Sequence, residues 1–415
     1  MDVPKPPIRG KYSIRNPAIN ALFSGMDMLL SVALPRRKIL PPEPQRILIS
    51  NIAHLGDVIM ATALLPVIKS AYPEAQIGFL VGSWSKSILQ DHPLVDHVHF
   101  LDHWAHNRAS ISRRQKWQQY LRTRREALRQ IRAVGYDAAF DLYWNFPNTL
   151  PLLWQAEIPM RVGYGSGGFG PLATQALEFG DMRLHASQRF LDLVKTLPRI
   201  KSVLDEAAPL TPSLPPGEQD GGAAAIEAAL RAAGVQGREF LIFHVGAADS
   251  FRDWPAGRWR ELAELFLVQG HLLVFTGSGP KDALRIQETL SGLSGCVNLC
   301  DRLPWSGFVA AVARTRLLVC VDTVAGHVAA ATATPCVVIT AGRWPYLWRP
   351  LGPGNRVLMH PVPCAPCHRN SGCDGMECIQ EVSVSSVYEE AAGLLSSNSL
   401  RSSLAAVVAS NSDRE

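Results

Sequence analysis

No stretch of the chain reaches about 18 uninterrupted apolar residues, so the sequence offers no membrane-spanning helix. Its N-terminus also lacks a compact apolar stretch followed by a small-residue cleavage site. This leaves no secretory signal and points to a cytoplasmic protein. A complete dinucleotide fingerprint is missing as well. In the Gly-rich turn Gly277-Ser278-Gly279-Pro280-Lys281-Asp282, the third glycine place holds Asp282 and Pro280 interrupts the loop. The most basic segment, residues 108–132, lacks aromatics interleaved at base-stacking density, which argues against nucleic acid as a partner. No short internal repeat is present.

What is there suffices for two cores. The chain has 415 residues, 47% of them apolar, more than one core normally accommodates. The net charge of +5 is modest but uneven. Residues 1–45 carry seven Lys/Arg against three acids, and residues 108–132 carry nine against Glu126 alone. Such excess suits an anionic lipid surface or substrate, and equally a solvated helix face. Ile19, Leu22, Phe23, Met26, Leu29, Leu30 and Ala33 fall at helical spacing before Arg36-Arg37-Lys38. That pattern predicts an amphipathic helix with a basic end, either lying on the inner membrane surface or packed on its own protein.

Apolar runs alternate with helix-length segments in both halves, predicting an α/β fold with parallel sheets. In the first half, strands are expected at 46–50, 76–81, 136–142 and 161–164, with helices at 58–70 and 111–134. A Gly-rich loop follows at 165–170. Residues 208–222, dense in Pro, Gly and polar side chains, read as a linker. Beyond it, strands are expected at 240–245, 271–276, 317–321 and 336–340, with helices at 223–233, 256–269, 281–291 and 325–333. The expected organisation is an N-terminal extension (1–44), a first Rossmann-like domain (45–207), the linker, a second Rossmann-like domain (223–395) and a flexible Ser-rich tail (396–415).

Two strand ends carry the strongest chemical signal. Residues 46–50 lead into His54-Leu55-Gly56-Asp57, and residues 317–321 lead into Asp322-Thr323 and His327. Open α/β sheets bind ligands outside the carboxyl ends of their strands, so the pair predicts one sugar-nucleotide site between two domains. Gly56 lets the backbone approach a ligand, while Asp57 is either functional or simply a helix cap. Arg252, in Arg252-Asp253-Trp254-Pro255 after the small-residue loop 245–248, offers a forked donor for phosphate. Gly277 marks a turn near the ligand. The small-residue helix after Thr323 would bring its free amides to a diphosphate, with Thr323 and Gly326 as close donors and Asp322 on sugar hydroxyls. His327 is a candidate there, although a packed histidine is the commoner role. Cys364, Cys367, Cys373 and Cys378, near His360 and His368, are four soft ligands that would suit a structural zinc, the alternative being free thiols packing a loop.

In order and separation, these segments resemble glycosyltransferase family 9, the ADP-heptose:lipopolysaccharide heptosyltransferases. The matching stretches are Gly56-Asp57-Val58 with Thr62-Ala63-Leu64-Leu65-Pro66, Arg252-Asp253-Trp254-Pro255, Asp322-Thr323 with His327 and Ala329-Ala330, and Cys364-Ala365-Pro366-Cys367. The resemblance implies a GT-B fold, two Rossmann-like domains facing a central cleft, with the acceptor on the first and the nucleotide sugar on the second. It also implies inverting transfer of a sugar, a heptose in this family, from an ADP-linked donor to a glycolipid or oligosaccharide acceptor of lipopolysaccharide type, with no required metal. Asp57 then matches the general base, Arg252 stands where a phosphate-contacting Lys is usual, and Asp322, Thr323 and His327 match the donor motif. Val324 replaces the usual Gly after Asp-Thr, and no acidic residue is evident in the turn after Gly277. Rival expectations on the same fold are a nucleotide-sugar epimerase and a non-catalytic sugar-nucleotide-binding protein.

Overall fold

The computed structural model describes Tyr12, Arg369 and residues 16–34, 43–180, 184–204, 210–215, 221–367 and 372–397. The basic run at 36–38, parts of segment 208–222, His368 and the tail from 398 lie outside the described residues. The chain forms two compact units, Met1–Pro215 and Pro216–Glu415.

The first unit holds one parallel sheet of β1 (Arg46–Asn51), β2 (Gln76–Val81), β3 (His97–Phe100), β4 (Ala138–Asp141), β5 (Met160–Tyr164) and β6 (Gln175–Leu177). Its spatial order is β3-β2-β1-β4-β5-β6. Its helices are α1 (Pro17–Ala33), α2 (Leu55–Thr62), α3 (Leu64–Ala71), α4 (Lys86–Leu89), α5 (Arg113–Val134), α6 (Leu150–Gln155), α7 (Ala186–Val194) and α8 (Pro198–Leu204). β1 and β2 are buried on both faces after their first residue, as expected for central strands covered by crossover helices. The basic α5 starts at a Ser112–Gln115 capping box and stops at Gly135, whose φ of 68° is the left-handed cap conformation. Only Ala127 and Ile131 of α5 are buried, against Leu48, Leu80 and Ala139, so most of its basic side chains meet solvent.

The second unit repeats the plan with β7 (Phe240–His244), β8 (Leu272–Thr276), β9 (Cys296–Asn298), β10 (Leu318–Val321), β11 (Cys336–Ile339) and β12 (Asn355–Leu358). These are parallel in the order β12-β11-β10-β7-β8-β9. Its helices are α9 (Gly222–Ala232), α10 (Ala256–Val268), α11 (Pro280–Leu290), α12 (Trp305–Arg314), α13 (Val324–Ala331), α14 (Glu377–Gln380) and a final helix over 384–397. Phe243, Trp254, Trp259, Phe266 and Phe275 fill its core, and Trp254 Nε1 donates to the Val382 carbonyl at 3.0 Å. Both sheets thus follow the doubly wound order, with the connection reversing direction between β1 and β4 in one unit and between β7 and β10 in the other. The crevice outside the carboxyl ends at that reversal is where such sheets bind ligands.

Two readings of the sequence are corrected. The segment expected as one helix over 58–70 is two, α2 and α3, because Pro66 has no N–H to give the Thr62 carbonyl and its ring crowds that oxygen. Gly56 and Asp57 lie inside the first turn of α2, not in a turn before it. No helix among the described residues is long and apolar enough to cross a membrane.

Candidate active site

In the first unit, β1 ends at Asn51 and the chain runs extended to His54, which caps α2. Asp57 is the third residue of that helix, and its carboxylate accepts the His54 backbone N–H at 3.0 Å. The capping role open to Asp57 in the sequence is therefore realised. It also fixes the carboxylate just beyond the β1 end of the sheet's reversal point. Gly56, half-buried, precedes it in the same turn.

An aromatic and imidazole cluster that the sequence gives no pattern for gathers beside this turn. The loop after β3 brings His106 edge-on to His54, with centroids 5.6 Å apart, and to Tyr143 at 5.0 Å. Arg108 Nη2 stands 3.3 Å from His54 Nε2. Trp104 and Trp117 stack at 5.5 Å and remain partly exposed. Burial pushes the imidazoles of His103 and His106 down to about 4, so both are neutral near pH 7. The His106 ring is bonded to the Pro147 carbonyl, which fixes that nitrogen as the N–H donor and leaves Nε2 with a lone pair. That Nε2 has no partner in the protein.

His106 is not alone in this. Asn51 Nδ2, Ser85 Oγ and Asn148 Oδ1 are also buried without partners; Asn51 ends β1, and Ser85, His106 and Asn148 follow β2, β3 and β4. The amide orientations are set by the other bonds: Asn51 Oδ1 accepts from Ala53 N–H at 3.2 Å, and Asn148 Nδ2 donates to the Gly168 carbonyl at 2.8 Å. Buried polar atoms left unpaired are few in native proteins, and these four belong to residues at or after the ends of four adjacent strands. Asp141, at the end of β4 and fully buried, accepts the Thr149 N–H at 2.6 Å and holds this loop in place. Burial pushes its carboxyl up to about 6.

In the second unit, the structure brings together two of the residues named from the sequence. Arg252, after β7, places Nη1 3.4 Å from Asp322 Oδ2 and donates to the Asp322 carbonyl at 3.2 Å. Asp322 follows β10, so the pair spans the reversal point of this sheet. Thr323 is the N-cap of α13 and makes no side-chain cap bond, so no such bond occupies the amides of the first turn. Arg252 is held at Asp322, the residue before that N-cap, and its Nε lies 4.0 Å from Asp249 Oδ2; a guanidinium and a helix N-terminus both attract anions.

Other residues turn out to have packing roles. A Cβ on Gly326 would meet Pro350 Cγ at 2.9 Å and Val338 Cγ2 at 3.2 Å, so its missing side chain lets α13 approach β11. At Gly277 a Cβ would meet Asp282 Cβ at 2.8 Å, so that space is filled by the protein itself. His327 is buried within α13. The turn after Gly277 holds carboxylates after all. Asp282 accepts Ser278 N–H at 3.0 Å, and Asp301, from the distant end of β9, accepts Gly279 N–H at 2.8 Å. The zinc expectation is not supported, since no group of three or more His, Cys, Asp or Glu among the described residues is placed to hold a metal. Cys378 turns into the core while Cys364 and Cys373 are exposed. Burial first, and then the neighbouring thiols, push the Cys378 thiol up.

The profile of glycosyltransferase family 9 (heptosyltransferase) matches residues 124–375, more than half of the chain and all of the Arg252 to His327 corner. The chain belongs to glycosyltransferase family 9. It is 25% identical over 330 residues to lipopolysaccharide heptosyltransferase 1 of Pseudomonas aeruginosa, covering 78% of this chain and 86% of that protein. To lipopolysaccharide heptosyltransferase 2 of Salmonella typhimurium it is 26% identical over 321 residues, covering 75% and 87%. The solved structure of a family 9 glycosyl transferase from Veillonella parvula superposes with a TM-score of 0.70 at 22% identity, covering 86% of this chain and 98% of that one. That of E. coli ADP-heptose lipopolysaccharide heptosyltransferase II gives 0.67 at 22%, covering 85% and 99%. This family 9 glycosyltransferase therefore has the GT-B fold expected from its sequence, and Asp57 lies ahead of the stretch the profile matches.

Proposed function

We propose that this glycosyltransferase moves a heptose, with inversion, from ADP-heptose to a hydroxyl of a lipopolysaccharide-type acceptor. One observation carries the reading: the Arg252–Asp322 pair sits beside the uncapped N-terminus of α13, at the reversal point of the second sheet. Arg252 and the first-turn amides of α13 take up the negative charge that grows on the departing diphosphate. Asp57 takes the proton of the attacking hydroxyl, and attack opposite the leaving group inverts the anomeric carbon. No metal is needed in this scheme, because the guanidinium and amides carry the charge. The domain limits of the proposal are 45–207 for the acceptor side and 223–395 for the donor side. The enzyme would work in the cytoplasm, in peripheral contact with the inner face of the cytoplasmic membrane where an amphiphilic acceptor is held.

The test is titration of the purified full-length chain with ADP-heptose and with UDP-hexoses. ADP release is then followed with and without a lipopolysaccharide acceptor truncated before its heptose. Tight binding of ADP-heptose and acceptor-dependent ADP release are expected. Failure to bind ADP-heptose, or conversion of the donor sugar with no acceptor present, would overturn the proposal.

A further inference from the structure

Helix α1 is amphipathic in the opposite sense to an ordinary surface helix. Its charged residue points inward: Asp27 is 1% exposed, accepts the Phe169 backbone N–H at 2.9 Å and takes the Tyr12 hydroxyl at 2.9 Å. Phe23, on the same face, packs edge-on to Phe146 at 5.4 Å and to Phe169 at 5.7 Å. It fits so closely that a Cβ on Gly168 would meet its ring at 2.3 Å. The opposite face is apolar and turned to solvent, with Leu22 69%, Met28 68%, Leu29 70% and Val32 83% exposed. The helix has no other charged residue to interrupt that face. The apolar stripe read from the sequence is thus divided: Phe23, Met26 and Leu30 are wholly or partly buried, and Leu22 and Leu29 face out.

Exposed apolar surface of this extent on one helix marks an interaction site. The charge of the sequence that flanks it selects the occupant. Residues 1–45 carry seven Lys/Arg against three acids, one of which is the inward Asp27. Apolar side chains flanked by cationic residues match the interface of an anionic bilayer. At 17 residues α1 is about 25 Å long, shorter than the roughly 30 Å hydrocarbon core, so it suits lying along the interface and not crossing it.

We propose that the outward face of α1, led by Leu22, Met28, Leu29 and Val32, is an interfacial membrane-binding surface for anionic phospholipid, held at a fixed roll angle by Asp27 and Phe23. Phe146 and the 165–172 loop, against which α1 docks, follow β4 and β5, so the surface adjoins the carboxyl edge of the first sheet. Where the acceptor is lipid-borne, as in the function proposed above, membrane contact then presents it at that edge. The contact itself does not depend on that reading.

Sedimentation of the full-length protein with phosphatidylglycerol/phosphatidylethanolamine vesicles, with neither donor nor acceptor present, tests this directly. The wild type is expected to bind these vesicles, to bind phosphatidylcholine vesicles much less, and to be weakened by salt as the cationic contribution is screened. Leu29→Ser should lower the partition coefficient roughly tenfold and Leu22→Ser/Leu29→Ser on the order of a hundredfold, each leucine losing most of its transfer into the interface. Both variants keep the wild-type melting temperature and ADP affinity, because neither side chain packs inward. The proposal is overturned if the folded wild type stays in solution with anionic vesicles, or if the double variant binds as tightly as the wild type. It is equally overturned if these substitutions abolish a concentration-dependent self-association while vesicle binding is absent, which would make the face a contact between copies.

Discussion

Acidification should weaken the first unit through His106. Burial pushes this imidazole from its ordinary 6.5 down to about 4, so the folded state resists a proton that the unfolded chain accepts. A group depressed in this way stabilises fully above about 6.5, and the contribution is lost as pH falls towards 4. At pH 5 the unfolded imidazole is about 1.5 pH units below its pKa, which amounts to about 2 kcal/mol at 1.36 kcal/mol per unit. His103 and His92 shift in the same direction, and burial is the leading cause for each. Asp141 opposes them. Its carboxyl is raised to about 6, so its contribution is present below about 4 and is lost as pH rises through 6. The comparison that isolates His106 is wild type against His106→Gln, which keeps a polar side chain of similar reach and does not titrate. Native-state hydrogen exchange of the β1 and β4 peptides reads the first unit alone. Between pH about 7 and about 5, the wild type should lose about 2 kcal/mol more protection free energy than the variant. Equal losses would show that His106 is not held neutral by the fold.

Three further outcomes follow from the geometry. Asp57→Asn should cut transfer on the order of a hundredfold or more while ADP binding is retained, with at most about 1 kcal/mol lost from the cap of α2. Steady-state transfer and calorimetric ADP titration measure both, and retained turnover would remove Asp57 from the chemistry. Arg252→Ala should weaken ADP binding and slow transfer by roughly a hundredfold, since it deletes a fork of donors beside α13 and the cation 3.4 Å from Asp322. Unchanged values for both would assign Arg252 to a merely structural ion pair. Gly326→Ala should shift α13, because the new methyl has to displace Pro350 Cγ from 2.9 Å. A stability loss of roughly 1–3 kcal/mol together with weaker ADP binding is expected, from thermal unfolding and titration.

What could be read in the chain and what could not divides along physical lines. The central strands β1, β2, β4, β7, β8, β10 and β11 are covered on both faces, so burial demands near-continuous apolar runs and those runs stand out in the sequence. The unread strands β3, β6, β9 and β12 are the four sheet edges, three or four residues long. Their side chains are partly exposed in the main, and His97, His99, Gln175, Asn298 and Asn355 break any apolar signal. The same division governs the site. Asp57, Arg252, Asp322 and Thr323 stand out as candidates because each comes within a few residues of the end of an apolar strand, a local signal. The partnerless atoms of Asn51, Ser85, His106 and Asn148 do not, because their meaning lies in which strands are neighbours. They are one strand-end residue and three loop residues spread over nearly a hundred positions, and only the strand order brings those strand ends side by side. The packing at Gly277 and Gly326 was equally hidden. A glycine looks alike in sequence whether a ligand or another side chain fills the space above it, and here Asp282 and Pro350 fill it.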